Sequence, residues 1–435
     1  MKISFLIPSK NRLHLLRLAV STILAQDWRD LEIVVSDNAS SEDYHSYIAE
    51  ISDPRIVYYR QEAPVSVTEN WKAALALSTG DYILMLGDDD ALAPNFSECV
   101  RPFLSSDKPD VVFLAAYHYC YPMVLDANPS GYLAIVRNSE FLLHNPGPFC
   151  LTQSYARELA ASILDFRYRF GFNAQYFLLK ATFVKEFAAK GGIYQSPYPD
   201  TFAAFATFMH ARSVVVVPTE AVIIGISPKS FGYYYFSNRH REGYEFLNNE
   251  GLNLDVRESL LRTILPGDRN NTNWLVAAEV ARRVIAPCSG LSVNVDRYRS
   301  LQIISVLRDR YLSGISSGEA DLALMEKLTA GEVALFELLE TAIKTAVEFD
   351  GALAGRVIEA MRERLAQFVP AEVTFLDIVP IKTSGMLLPG WHASMRIRPH
   401  AHTAASPRAN SSWHEIGIRS RRLRRLLIVN AVRAA

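Results

Sequence analysis

Residues 80–94 read Gly80-Asp81-Tyr82-Ile83-Leu84-Met85-Leu86-Gly87-Asp88-Asp89-Asp90-Ala91-Leu92-Ala93-Pro94. The apolar run Tyr82–Leu86 has the length and composition of a buried strand, and it leads directly into three consecutive carboxylates. Carboxylates this close repel one another and resist leaving water. The end of a buried strand tolerates them mainly when a cation arrives. Hard cations such as Mg²⁺ or Mn²⁺ take oxygen ligands, often one or two carboxylates together with substrate phosphates. Asp88, Asp89 and Asp90 therefore mark a candidate site for a metal-bound phosphate or nucleotide. The competing reading is a solvated acidic turn in which Asp90 caps the next helix.

Strand and helix signals alternate on both sides of this stretch. Ile3–Pro8, Leu31–Val35, Arg55–Tyr59 and Val111–Ala115 read as strands, and Leu13–Ala25, Thr68–Leu77 and Phe96–Leu104 as helices. That order predicts an α/β fold, a mainly parallel sheet with helices on both faces. In such sheets ligands bind outside the carboxyl ends of the strands. Pro8-Ser9-Lys10-Asn11-Arg12, Asp37-Asn38 and Asp88–Asp90 all follow strands, so one sheet edge gathers them. From 116 to 230 the pattern is mixed, with helices expected at Leu159–Phe166 and Phe202–His210 and strands at Val214–Val217 and Ala221–Ile226. The aromatic and basic segment Ser227–Arg241 reads as a loop. Beyond about 250 strand signals fade, and Leu260–Ile264, Trp274–Ile285, Tyr298–Tyr311 and Glu332–Phe368 are helical in pattern. The organisation expected is a first domain over 1–245, a helical C-terminal domain over 246–380, and a poorly ordered tail over 381–435.

The 435 residues exceed what one core usually serves. A chain that is 49% hydrophobic and 21% charged is an ordinary globular one, and its net charge of −1 gives no reason to expect a nucleic acid as partner. Cys99, Cys120, Cys150 and Cys288 show no metal-ligand spacing and read as reduced packing cysteines of a cytosolic protein. The apolar start is interrupted too soon for a signal peptide, and no apolar run reaches the roughly 18–20 residues of a spanning helix. The expectation is a cytoplasmic protein. Its basic end, Arg419–Arg425, either makes peripheral contact with an anionic membrane or is a disordered or partner-bound tail.

Several residues carry candidate chemistry, each with a plainer alternative. Ser9 and Asn11 can cap the helix after the first strand, and Arg12 at that N-terminus can meet a phosphate, though simple capping explains the same residues. Neither GxGxxG nor GxxxxGK[ST] occurs, which weighs against dehydrogenase and NTPase readings. Asp37 is placed to accept hydrogen bonds from a base or ribose, or else forms an Asx-turn. Asn70 and Lys72 flank Trp71 near the start of a helix and could reach a site there, with Trp71 itself read as core packing. Asp200 follows two prolines and precedes an apolar helix. It is either a general base held at a pocket mouth or an N-cap.

In order along the chain these motifs resemble the inverting family-2 glycosyltransferases of the GT-A fold, over roughly residues 1–230. Val34–Ser40 and Gly80–Pro94 are the most specific parts. The resemblance implies a nucleotide-sugar donor, usually UDP-linked, with Mn²⁺ or Mg²⁺ as cofactor. It also implies an acceptor hydroxyl on a glycan or lipid-linked oligosaccharide. By the same resemblance Asp37 contacts the nucleotide base, Pro8 and Ser9 form the loop beside it, Asp89 binds the metal with Asp90 as a second candidate, Asp88 faces ribose or diphosphate, and Asp200 is the catalytic base. Many members carry Asp-x-Asp-Asp where this chain has Gly87-Asp88-Asp89-Asp90. A lid over the donor is expected from Ser227–Arg241, with Lys229, Arg239, His240 or Arg241 toward the diphosphate. The alternatives are a nucleotidyltransferase of sugar metabolism, which would be expected to carry a Gly-rich phosphate loop, and a glycan-binding relative without turnover.

Overall fold

A computed structural model describes residues 1–125, 129–143, 145–236, 240–249, 251–287, 289–312, 323–349, 351–366 and 372–376. Two compact units result, each described by itself. The first comprises Met1–Ala160, Phe170–Leu252 and the strand Glu372–Leu376, and the second comprises Ala161–Arg169 and Asn253–Val369.

The first unit is built on one sheet. Its strands are β1 (Ile3–Ser9), β2 (Leu31–Asp37), β3 (Ile56–Arg60), β4 (Tyr82–Met85), β5 (Ala91–Leu92), β6 (Val111–Cys120), β7 (Tyr132–Arg137), β8 (Phe149–Leu151), β9 (Phe177–Lys180), β10 (Val214–Ile226) and β11 (Glu372–Leu376). The path runs β11-β7-β6-β9-β4-β1-β2-β3, with β10 pairing β5, β6 and β8. β1 and β2 are buried at every residue, as continuous apolar strands covered on both faces should be. The crossover helices Leu13–Leu24, Tyr44–Ile51 and Val67–Ala76 supply that cover. The first packs Leu15, Leu16, Ala19, Val20 and Ile23 inward at helical spacing. The third begins at Ser66, whose hydroxyl accepts from the Glu69 N–H.

β3-β2-β1-β4 forms a parallel stack as expected, and β10 also runs parallel to β6. β9 lies antiparallel to both β4 and β6, so the full sheet is mixed. β9 is Phe-Leu-Leu-Lys, and a short apolar run buried on both faces carries no signal of direction. The strands β7, β8 and β9 lie where the sequence pattern was mixed. The two strands expected at 214–226 are one strand of 13 residues, whose register against β6 shifts around Glu220. Pro218 cannot donate to a ladder, and a bulge there keeps the strand continuous. The segment expected as a loop at 227–241 contains the helix Phe231–Phe236 and enters a second, His240–Leu247. Ser230 accepts from the Tyr233 N–H at the start of the first, and Phe231 packs edge-on against Tyr198. Packed rings stabilise a helix that intrinsic propensity would not mark.

The second unit is helical: Leu254–Ser259, Arg269–Ile285, Val295–Leu312, Ala330–Phe349 and Gly351–Ala366. The long helix expected at Glu332–Phe368 is thus two helices, and Leu260–Ile264 follows a short helix rather than forming one. Phe166 packs against Trp274 and Tyr298, and the Trp274 indole donates to the Ile163 carbonyl. Arg299 clamps Glu332 through two hydrogen bonds, of 2.5 and 2.8 Å. Among the described residues no helix is long and apolar enough to cross a membrane. Arg239, Cys288, the tail beyond residue 376 and its Arg419–Arg425 cluster lie outside the described residues.

Candidate functional site

The parallel strands β1, β2 and β4 place their carboxyl ends side by side, and the register fixes which residues meet. Ser9 lies opposite Asp37 in the β1–β2 ladder, and β4 runs out beside β1 into Gly87. The Ser9 hydroxyl donates to Asp88 Oδ2 at 2.5 Å and lies 2.7 Å from the Tyr44 hydroxyl. That tyrosine oxygen also accepts from the Arg12 N–H at 3.0 Å. The Arg12 guanidinium reaches Asp88 Oδ1 at 2.7 Å and stands 3.7 Å from Asp89 Oδ2. It also donates to the Lys229 carbonyl and lies over the Phe246 ring. Asp88 is fully buried. Burial lifts its pKa to about 6, against the opposing pull of Arg12.

Asp89 and Asp90 are built differently. Asp89 Oδ2 accepts from the Ser227 hydroxyl at 2.7 Å, just past the end of β10. Asp90 turns inward: Oδ2 accepts from the Gly87 N–H (2.7 Å) and the Gln175 amide (2.6 Å), and Oδ1 from the Gly225 N–H (2.8 Å). Burial and the neighbouring Asp89 push its pKa up to about 7. The inward turn accounts for Gly87. A Cβ there would sit 2.6 Å from Asp90 Oδ2, so a carboxylate cannot stand where related motifs carry one unless Asp90 moves. Gly225 is required for the same closeness, since its Cβ would lie 1.9 Å from the Asp89 carbonyl oxygen.

Asp37 is fully buried and makes the Asx-turn bond, accepting from the Ser40 N–H at 2.9 Å. Its second oxygen accepts from the Tyr58 hydroxyl at 2.9 Å and faces Arg60 at 3.4 Å. Pro8 is the penultimate residue of β1, opposite Ser36 and next to Ser9. Asn11, at φ 53°, accepts from Ser41 and so ties the β1 turn to the β2 turn. Lys229 Nζ donates to the Asn11 carbonyl, bringing the chain after β10 onto that turn.

Two expected site residues serve elsewhere. The Asn70 amide is spent on Ser36, accepting from its hydroxyl and donating to its carbonyl, and so braces the strand end beneath Asp37. Lys72 pairs on the surface with Glu69 at 2.9 Å. Trp71 packs edge-on against Tyr194, as a packing residue should. Asp200 lies in the first turn of the helix Pro199–His210, where Tyr198 rather than Asp200 takes the cap position. Its Oδ1 accepts from the Thr201 N–H at 2.8 Å, and burial raises its pKa to about 6.

Sequence reasoning missed Tyr44, Tyr58, Gln175, Gly225 and Ser227. Ser227 had a signal, since it follows a strand on the sheet that carries the other strand ends. Gln175 and Gly225 had none, because their roles exist only once β9 and β10 have been laid beside β4.

The donor set suits a hard cation. Asp89 offers an oxygen at the mouth of a corner lined by carboxylates, and Mg²⁺ or Mn²⁺ asks for one or two such oxygens when phosphates supply the rest. Among the described residues no group of three or more His, Cys, Asp or Glu is arranged to hold a metal unaided. Of the two metal candidates, Asp90 is the more enclosed, because its oxygens accept from three protein donors.

Comparison with known proteins meets this geometry. Residues 4–163 match the sequence profile described as Glycosyl transferase family 2. The chain is 37% identical over 94 residues to the GalNAc(5)-diNAcBac-PP-undecaprenol beta-1,3-glucosyltransferase of Campylobacter jejuni, a stretch covering 21% of this chain and 30% of that protein. It is 29% identical over 93 residues to the UDP-Glc:alpha-D-GlcNAc-diphosphoundecaprenol beta-1,3-glucosyltransferase WfgD of Escherichia coli, covering 21% and 37%. The matched stretch thus spans about a third of the length of these relatives. The crystal structure of S. aureus TarS 1-349 superposes with a TM-score of 0.44 at 12% identity, covering 79% of this chain and 92% of that one. The matched span holds the Asp37 turn and the whole of Gly80–Pro94, and over that span the chain is similar to glycosyl transferase family 2.

Proposed function

We propose that the protein is a metal-dependent inverting glycosyltransferase that moves a sugar from a nucleotide-sugar, UDP-linked, to an acceptor hydroxyl on a lipid-linked or cell-surface glycan. The observation that carries this reading is the corner where Ser9, Arg12 and Asp88–Asp90 meet at the ends of β1 and β4. The names of both curated relatives specify a diphosphate-linked undecaprenol acceptor, and one specifies UDP-Glc as donor, which is the support for those two choices.

Each residue has a physical task in this reading. Asp37, held by Ser40, Tyr58 and Arg60, marks the nucleotide-base end of the site. Asp88 and Ser9 lie on the ribose and diphosphate side. Asp89 would hold Mg²⁺ or Mn²⁺. When bound, that metal supplies charge stabilisation to the diphosphate as the bond to the sugar breaks. Asp200 takes the proton of the acceptor hydroxyl as its oxygen attacks the sugar from the face opposite the leaving group, so one displacement inverts the anomeric centre. A base with a pKa of about 6 is ionised at neutral pH and still basic enough to help. The lid expected at Ser227–Arg241 is supported at its start, where Ser227 bonds Asp89 and Lys229 bonds Asn11. Closing it would keep water from the donor.

The test is a thermal shift with a panel of nucleoside diphosphates, with and without Mn²⁺, followed by a donor-hydrolysis and transfer screen. Stabilisation by UDP that requires the metal is the expected result. No response to any nucleoside diphosphate would overturn the reading.

A further inference from the structure

We propose that Arg12 is the resident cation of the acidic corner, and that its pairing with Asp88 keeps a divalent metal out until a nucleoside diphosphate is present. The inference rests on the nucleotide-sugar reading for the identity of the diphosphate, but the role of Arg12 is tested without it.

The argument is an inventory of carboxylate oxygens. Asp88 Oδ1 is 2.7 Å from the Arg12 guanidinium, and Oδ2 accepts from Ser9 at 2.5 Å. Both Asp90 oxygens are taken by Gly87, Gln175 and Gly225. Asp89 Oδ2 is shared between Ser227 and the far side of the guanidinium. Asp88 Oδ1 has no hydrogen bond and is held only by the Arg12 charge, so among the described residues the oxygen that faces neither a donor nor a cation is Asp89 Oδ1. A single carboxylate oxygen is a poor site for an ion that takes six oxygen ligands, whereas diphosphate oxygens complete the set.

Charge gives the same answer. A guanidinium stays protonated at any pH the protein experiences, so this positive charge is permanent. It is also held in place: Arg12 is only 7% exposed, its main-chain N–H bonds to Tyr44, its guanidinium donates to the Lys229 carbonyl, and Phe246 lies beneath it. A bare divalent ion would approach a fixed cation in a poorly solvated corner. A diphosphate brings negative charge that both cations can share. The crowding of carboxylates that points to a cation in the sequence is thus partly answered inside the chain, by Arg12. Arg12 is a positioning residue in this scheme, acting on the metal through Asp88.

The experiment follows the free aqueous Mn²⁺ signal by electron paramagnetic resonance while Mn²⁺ is added to the full chain, with and without UDP and against a protein-free UDP control. Arg12→Met and Arg12→Lys are compared with wild type, and folding is checked by circular dichroism. Without UDP, wild type and Arg12→Lys should leave Mn²⁺ free, while Arg12→Met, with Asp88 released to join Asp89, should bind it about tenfold or more tighter. Adding Asp89→Asn to Arg12→Met should abolish that gain. Tight nucleotide-free binding by wild type overturns the proposal, as does a folded Arg12→Met variant with no gain. If Arg12→Met fails to fold, the wild-type and Arg12→Lys arms still decide, because nucleotide-free binding by wild type alone is fatal to it. A gain in Arg12→Met with no effect of UDP on any variant would keep the role of Arg12 and overturn the nucleotide-sugar reading instead.

Discussion

The carboxylates after β4 and the carboxylate at the start of the helix Pro199–His210 are both raised by burial, yet they are built in opposite ways. Asp88 and Asp90 are enclosed by five residues from four parts of the chain: Ser9 and Arg12 after β1, Gly87, Gln175 and Gly225. Asp200 is bonded within its own helical turn, through the Thr201 N–H. A carboxylate surrounded by fixed donors has few lone pairs left for a substrate and is a good piece of scaffold. A carboxylate held only by its own turn keeps lone pairs for a substrate. In the proposed reading the difference separates a binding fixture from a base, although the residue type and the direction of the pKa shift are the same.

The largest test of that division is Asp200→Asn. Transfer should fall by about 10²–10⁴-fold, the usual worth of a general base, while the metal-dependent thermal shift by UDP stays as in wild type. Retained transfer would erase the distinction between the two regions. Asp89→Asn should do the reverse at the other region and abolish the metal-dependent shift, which calorimetry with UDP and Mn²⁺ would read.

The pH profile sharpens the contrast further. Asp200 must be ionised to act, so transfer should lose about tenfold per pH unit below about 6 and level off above it. Stability moves the other way. A carboxyl whose pKa rises from 3.8 to about 6 on folding contributes stability that is present below 3.8 and lost as pH rises through about 6. Asp200→Asn, neutral throughout, should therefore melt higher than wild type at pH 8, and the difference should shrink toward pH 4. An Asp200→Asn midpoint no higher at pH 8 would contradict the raised pKa.

Smaller effects probe the scaffold. Gly87→Ala forces a Cβ against the Asp90 carboxylate and should destabilise the fold by about 1–3 kcal/mol, seen as a lowered melting midpoint. An unchanged midpoint would mean that Asp90 is not pinned by its three donors. Lys72→Ala, at a surface pair with Glu69, should leave transfer and stability nearly unchanged. A large effect on transfer would restore Lys72 to the site.

Much of this was legible along the chain. The apolar run Tyr82–Leu86 and the acids after it, the turns after β1 and β2, and the helix that starts beside Asp200 are all local patterns, and local patterns survive in sequence. The division of labour among the acids was not legible. Asp89 and Asp90 are neighbours of identical chemistry, and they part only because Gln175 and Gly225 approach one of them and Ser227 the other. Asn70 looked like a site residue because it stands near a helix start, but Ser36 across the fold takes its amide. The direction of β9 was hidden as well, since a short strand buried on both faces reads the same either way.

The sequence by itself determined that strands alternate with helices, that polar turns follow β1, β2 and β4, and that three crowded carboxylates stand at one strand end, a cation site or a solvated turn. Those properties follow from periodicity and from the cost of crowding like charges. Only the tertiary structure decided which cation stands there in the unliganded chain, which oxygens stay available, and why Gly87 is a glycine. Each of those answers depends on atoms brought together from distant parts of the chain: Arg12 beside Asp88, and Gly225 and Gln175 on Asp90, which in turn leaves no room at Gly87.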